Sequence, residues 1–280
     1  MRDVKLHYGP TPVFDAWLAE NGPYDVSKWV EELSLGERDS QPERVHDLYT
    51  HTEEVKLWGE AKRHSELGRR WLGLGPFRYR VGLSFFLQKK ITSKILRADP
   101  SCKTVVNFGA LYAKPDSDLA RKFPGVQFYG VDRSATIKAM NEQAFPGQPN
   151  LHFVASDMLS FLQNHDVRGG LFVHSITAFC IMPKMLEAIY AQCAASGIKH
   201  MHIIEFSGYS HQLQRFYQFE DERKPSVVHR HAFFIHDYPN MMRDAGYELA
   251  YGRLFKAPMP KPFQNDNHLI TLHAIAAPVL

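Results

Sequence analysis

Cysteine is scarce in this chain. Cys102, Cys180 and Cys193 share no paired spacing and leave one over. Such usage excludes a disulfide framework and a zinc-ribbon set, and it fits a reducing compartment. No uncharged run approaches the roughly 20 apolar residues that a membrane-spanning helix needs. The stretch MRDVKLHYGP carries charge early and no apolar run follows it, unlike a secretory signal. A cytoplasmic protein with no membrane partner is therefore expected. Neither sign of charge dominates, since 33 Lys and Arg face 30 Asp and Glu, a formal excess of +3. The basic residues are scattered along the sequence and form no stripe, so no nucleic-acid partner is expected. Low-complexity segments are also absent. A hydrophobic share of 44% is enough for an ordinary globular core.

What is present falls into two rhythms. Residues 1–100 read as helical, with short helices near residues 14–19 and 27–33 and a longer run beyond Glu43 where Val45, Leu48 and Tyr49 recur at helical spacing. The turn GLGPF (Gly73 to Phe77) separates that run from a second, RVGLSFFLQKKITSKIL, which closes near Asp99-Pro100. Residues 101–280 instead alternate short apolar runs with helical patterns. The runs are TVVNFG, VQFYGVD, LHFVASD, GGLFVHS and HMHIIEFS. In PKMLEAIYAQCAA, between the last two, Leu186, Ile189, Tyr190 and Cys193 line one face. Alternation of this kind implies a parallel sheet wound through right-handed crossovers. The tail breaks it: a helix capped at Gly246 leads to a strand, and HLITLHAIA follows with no room for a helix between. The expected fold is therefore α/β, a Rossmann-like sheet of seven strands, mostly parallel, closed by an antiparallel C-terminal hairpin.

Ligands of such sheets bind beyond the carboxyl ends of the strands, near the point where strand order reverses. The first strand ends in Asn107-Phe108-Gly109, where a lone glycine lets backbone approach a ligand or simply makes a turn. The second ends at Asp132, about 20 residues further on, where a carboxylate can accept two hydrogen bonds from a ribose diol. A helix cap is the plainer role for the same aspartate. The third ends at Asp157, which can meet an adenine amino group while the Met158 amide meets a ring nitrogen, or can cap the next helix. The fourth sets His174 where the reacting end of a ligand would lie.

Strand order and these strand ends resemble the class I S-adenosylmethionine-dependent methyltransferases over roughly Lys103 to Leu280. The family's first motif, an acidic residue and three alternating glycines, falls on Asn107 to Ala113, where only Gly109 remains and the acidic position is an amide. The ribose-binding acid falls on Asp132 and the adenine-contacting pair on Asp157-Met158. AGYELAYGRLF with HLITLHAIA is similar to the family's closing hairpin. A nicotinamide-dinucleotide fold is disfavoured, because G-x-G-x-x-G is missing and that hairpin is foreign to it. The resemblance implies S-adenosylmethionine as cofactor, held by Asn107, Phe108, Gly109, Ala110, Asp132, Arg133, Asp157, Met158, His174 and Ser175. It implies a methyltransferase, and the missing basic stripe points to a small-molecule acceptor.

The sequence offers no unmistakable base. His174 and Glu205 are the catalytic candidates, with His229, His231 and His236 behind them. HRHAFFIHD gathers His and Asp, but His229 and His231 alternate as on a strand and no third ligand is matched, so no metal is expected. In the helical front region, FRYR places Tyr79 and Arg80 where a carboxylate or flat ring can bind. Tyr49 and Trp58 can face a sulfonium, though plain helix packing serves as well for each. Two other readings stay open. One is an enzyme that spends the same cofactor on ring closure or aminocarboxypropyl transfer, releasing methylthioadenosine. The other is a binding module without catalysis. The sequence names neither acceptor nor oligomeric state.

Overall fold

The computed structural model describes residues 75–178, 181, 183–207, 209–210, 215–216, 226–228, 234–256 and 268–278. Most of the helical front region, with Tyr49 and Trp58, lies outside the described residues, as do His229 and His231. So do the side chains of Tyr79 and Arg80, whose backbone falls in the first helix.

That helix, α1 (Gly75–Ala98), starts earlier than the GLGPF turn suggests. Pro76 sits in its first turn, where a missing N–H goes unnoticed. Leu83, Leu87, Ile91 and Ile95 recur every four residues and are buried together. Pro100 ends it, because the residue before a proline avoids helical backbone.

The alternation that follows is β1 (Thr104–Phe108), α2 (Lys114–Lys122), β2 (Gln127–Asp132), α3 (Ala135–Ala144), β3 (Leu151–Ala155), α4 (Met158–Asn164), β4 (Leu171–Ser175), α5 (Pro183–Ala195) and β5 (His200–Ser207). Two small antiparallel pairs that the sequence does not announce come next. They are β6 (Tyr209–Ser210) with β7 (Arg215–Phe216), and β8 (Ser226–Val228) with β9 (Phe234–His236). The chain closes with α6 (Tyr238–Asp244), β10 (Tyr247–Lys256) and β11 (His268–Ala276).

The main sheet has seven strands in the order β10-β11-β5-β4-β1-β2-β3. Strands β1 to β5 run parallel, and β11 runs antiparallel to both β5 and β10. Covered on both faces, the inner strands carry continuous apolar runs, as in β4, where Leu171, Phe172 and Val173 are all fully buried ahead of His174. Side chains of α1 and α2 pack on one face, and those of α4, α5 and α6 on the other. Among the described residues no helix is long and apolar enough to cross a membrane. Order reverses between β1 and β4, whose register pairs Phe108 with His174. The crevice for a ligand opens there.

Candidate functional site

Gly109 takes φ +67°, and a Cβ built on it would lie 2.3 Å from Thr177 Cγ2 and 2.6 Å from Thr177 Oγ1. The turn after β1 is thus pressed against the turn after β4, and only glycine fits both the dihedral and the gap. Its amide donates to Val131 O at 2.9 Å, which ties the same turn to β2. Beyond Gly109 the backbone is held by a side chain from α3. Asn141 Nδ2 donates to Ala110 O at 3.1 Å and to Leu111 O at 3.3 Å, and its Oδ1 accepts from Ala113 N at 3.0 Å. Asn141 gives no motif in the sequence, since it stands 28 residues from Ala113 and reads as one polar residue of an amphipathic helix.

Below the turn, the amide at the expected acidic position has a carboxyl behind it. Asn107 Nδ2 donates to Asp116 Oδ2 at 2.6 Å, and Gln88 Nε2 donates to Asp116 Oδ1 at 3.0 Å. Asp116 is fully buried. Burial pushes its carboxyl up to about 7, against the pull of the two amide donors. A sequence reading passes over Asp116, which looks like an ordinary acidic residue in the first turn of α2.

Asp132 is half-buried at the end of β2, and its Oδ1 accepts from Ser134 N at 3.0 Å. Burial raises its pKa. Arg133 beside it is exposed. The helix-cap role falls to Ser134, whose Oγ accepts from Ile137 N. At the end of β3, Ser156 N donates to Asp132 O at 2.9 Å, which sets Asp157 one residue from the end of β2. Asp157 is exposed and caps α4 by accepting from Ser160 N at 2.9 Å, while Met158 is buried beneath.

His174 lies at the end of β4 but is fully buried, with both ring nitrogens engaged. Nδ1 is 2.8 Å from Glu205 Oε1, and Nε2 is 2.7 Å from Tyr190 Oη. Glu205 is equally enclosed, and its Oε1 also accepts from Thr177 N at 2.7 Å and Ala178 N at 2.8 Å. The two catalytic candidates therefore meet each other and face the loop, with no ring nitrogen left open to a ligand. Their shared loop holds Ile176 at φ +52°. A β-branched residue there costs about 1–3 kcal/mol and marks a backbone fixed by its surroundings. Ser175 is half-buried beside it, and its Oγ has no partner among the described residues. His236 reaches the same loop, donating through Nε2 to Ala178 O at 3.0 Å, and burial lowers its pKa to about 4. Among the described residues no three His, Cys, Asp or Glu side chains gather as a metal set.

The structure thus brings Asn107, Gly109, Asp132 and the loop after His174 to adjacent strand ends, with Asp157 at the next. Asp116, Asn141, Thr177 and Tyr190 are the additions.

No protein-family model and no curated protein matches the sequence. Solved structures do. Magnesium protoporphyrin IX methyltransferase from Synechocystis PCC 6803, with bound SAM, aligns over 82% of this chain and 100% of its own at 12% identity and TM-score 0.51. The [4+2]-cyclase SpnF aligns over 68% of this chain and 80% of its own, at 12% identity and TM-score 0.50. A candidate sarcosine dimethylglycine methyltransferase from Galdieria sulphuraria covers 68% of this chain and 85% of its own, at 12% identity and TM-score 0.50. The fold is that of the class I SAM-dependent methyltransferases, as the seven-strand order with its reversed β11 already implied.

Proposed function

We propose that this chain is a methyltransferase that binds S-adenosylmethionine at the ends of β1, β2 and β3 and acts on a small-molecule acceptor. One observation carries the reading: a glycine with no room for a Cβ lies at the strand-order switch, next to a half-exposed carboxylate on the neighbouring strand end. Backbone at Gly109 can approach a ligand closely. Asp132 keeps lone pairs beyond the one given to Ser134, enough for a ribose diol. A turn with one glycine suits a nucleoside carrying an amino-acid tail, which brings no phosphates to cradle. Asn107, Phe108, Ala110 and Arg133 would border that tail and ribose, with Asp157 and the Met158 amide at the adenine. Ser175 Oγ, buried and unpartnered among the described residues, supports a polar contact at the reacting end.

When bound, the cofactor supplies a methyl group already activated by its sulfonium. The chain then has to align the acceptor and exclude water. On this reading His174 and Glu205 are positioning residues. Glu205 fixes the Thr177 and Ala178 amides, His174 holds Glu205, Tyr190 holds His174, and Thr177 bears on Gly109. A base is needed only if the acceptor must lose a proton. Residues ahead of α1, with Tyr49, and the start of α1, with Tyr79 and Arg80, would cover the pocket and select a small molecule in the cytoplasm. We keep nucleic acid outside the substrate range.

A second reading has its own observation. The neutral Asn107, backed by a carboxyl that is half protonated near pH 7, stands where the cofactor's amino-acid tail would end. Such a departure suits an enzyme that uses that tail. The fold serves more than one reaction, since one similar structure is named a cyclase. Incubation with S-adenosylmethionine alone, followed by mass spectrometry, separates the readings. Intact cofactor that raises the melting temperature supports a transferase awaiting its acceptor. Methylthioadenosine above the spontaneous background supports the second reading and removes the first. No binding at all removes both.

A further inference from the structure

A second region gathers charge that the sequence spreads out. Phe86, Lys89, Lys90, Ser93 and Arg97 of α1 face Asp118, Leu119 and Lys122 of α2 across a groove on the outside of the two helices. Four cations stand against one carboxylate, an excess of three, as large as the formal charge of the whole chain. The carboxylate is already taken: Asp118 receives Lys89 at 2.6 Å and Arg121 at 2.5 Å, and Lys114 as well. Lys90, Arg97 and Lys122 are exposed and have no carboxylate partner among the described residues. Lys122 Nζ instead reaches toward the buried Ser93 Oγ at 3.4 Å on the floor.

We propose that this groove binds a small phosphate-bearing anion. Three unneutralised cations around one hydroxyl donor match a phosphomonoester or pyrophosphate, whose oxygens accept from ammonium, guanidinium and hydroxyl together. The charged length is short, with about 12 Å of helix between Lys89 and Arg97. That span seats one or two phosphates, whereas tight nucleic-acid binding draws on about 6–10 phosphate contacts. The two walls are helices and Phe86 and Leu119 are buried, so no apolar side chain is offered to a lipid interior. The groove ends at Lys122, the last residue of a nine-residue helix whose first turn lies at the strand-end site. It is therefore a separate site and does not depend on the cofactor reading.

The test titrates pyrophosphate into the full chain by calorimetry at low and physiological salt, with phosphatidic acid vesicles as a second arm. Lys90→Glu with Arg97→Glu is compared with Lys184→Glu, an exposed residue of α5 on the other face of the sheet. Saturable binding that falls at least about tenfold in the double variant and survives Lys184→Glu supports the site. Vesicle binding displaced by pyrophosphate supports it too and assigns the phosphate to a lipid headgroup. Absence of saturation, equal losses in both variants, or vesicle binding that pyrophosphate does not displace would overturn it. Melting temperatures of both variants confirm that folded protein is compared.

Discussion

Replacing Asp116 by Asn should change how stability depends on pH, and the size follows from its site. A fully buried carboxyl with pKa about 7, against 3.8 for the free group, is more protonated in the folded chain than in the unfolded one. Stability contributed by this group is then complete below the unfolded pKa and declines as pH rises toward 7. The span is about three units, or at most about 4 kcal/mol at 1.36 kcal/mol per unit; relaxation around the ion brings the expectation nearer 2. Asn cannot ionise, so Asp116→Asn escapes this loss, although one amide oxygen now serves both Asn107 and Gln88. His236 and His273, both lowered to about 4 by burial, have the opposite slope but are shared by both proteins and cancel in the difference. Urea denaturation at pH 5, 6, 7 and 8 reads the effect. The variant should gain on the wild type by about 2 kcal/mol between pH 5 and 8. Parallel profiles would refute a buried, neutral carboxyl at this site.

Three further substitutions address the turns. Gly109→Ala places a Cβ against Thr177 at a positive φ, so it should cost about 1–3 kcal/mol in thermal or urea unfolding and reduce cofactor affinity; unchanged values on both would show that the two turns part freely. Asn141→Ala removes three ties to the turn and should cost about 1–3 kcal/mol, with weaker S-adenosylmethionine binding by calorimetry; an affinity equal to the wild type would free the turn from α3. Glu205→Gln leaves the Thr177 and Ala178 amides and His174 competing for one neutral oxygen, and should cost about 3 kcal/mol in urea unfolding. A near-silent Glu205→Gln would remove the positioning role.

The strand ends were legible because a parallel sheet buries both faces, so its strands read as apolar runs whose last residues are plain to see. Gly109, Asp132 and Asp157 follow directly from that. What joins them was not legible. Asn141 reaches the turn across 28 to 31 residues, and His174 meets Glu205 across 31. Such pairs depend on register and helix rotation, which periodicity does not specify. His174 ended a strand as expected, yet the helix carrying Tyr190 closes over it, so position at a strand end did not bring exposure. Charge that gathers in space was equally hidden: Lys90 and Arg97 lie 25 or more residues from Lys122, and only the packing of α1 on α2 brings them to one groove.

The central claim is that the strand-end site holds S-adenosylmethionine through Asp132. Calorimetric titration of the cofactor into the wild type and Asp132→Ala tests it most directly. Saturable binding that weakens by at least about tenfold in the variant, a loss of about 1.4 kcal/mol or more, is the predicted result. Equal affinity in the two proteins, or no binding by the wild type, would contradict it.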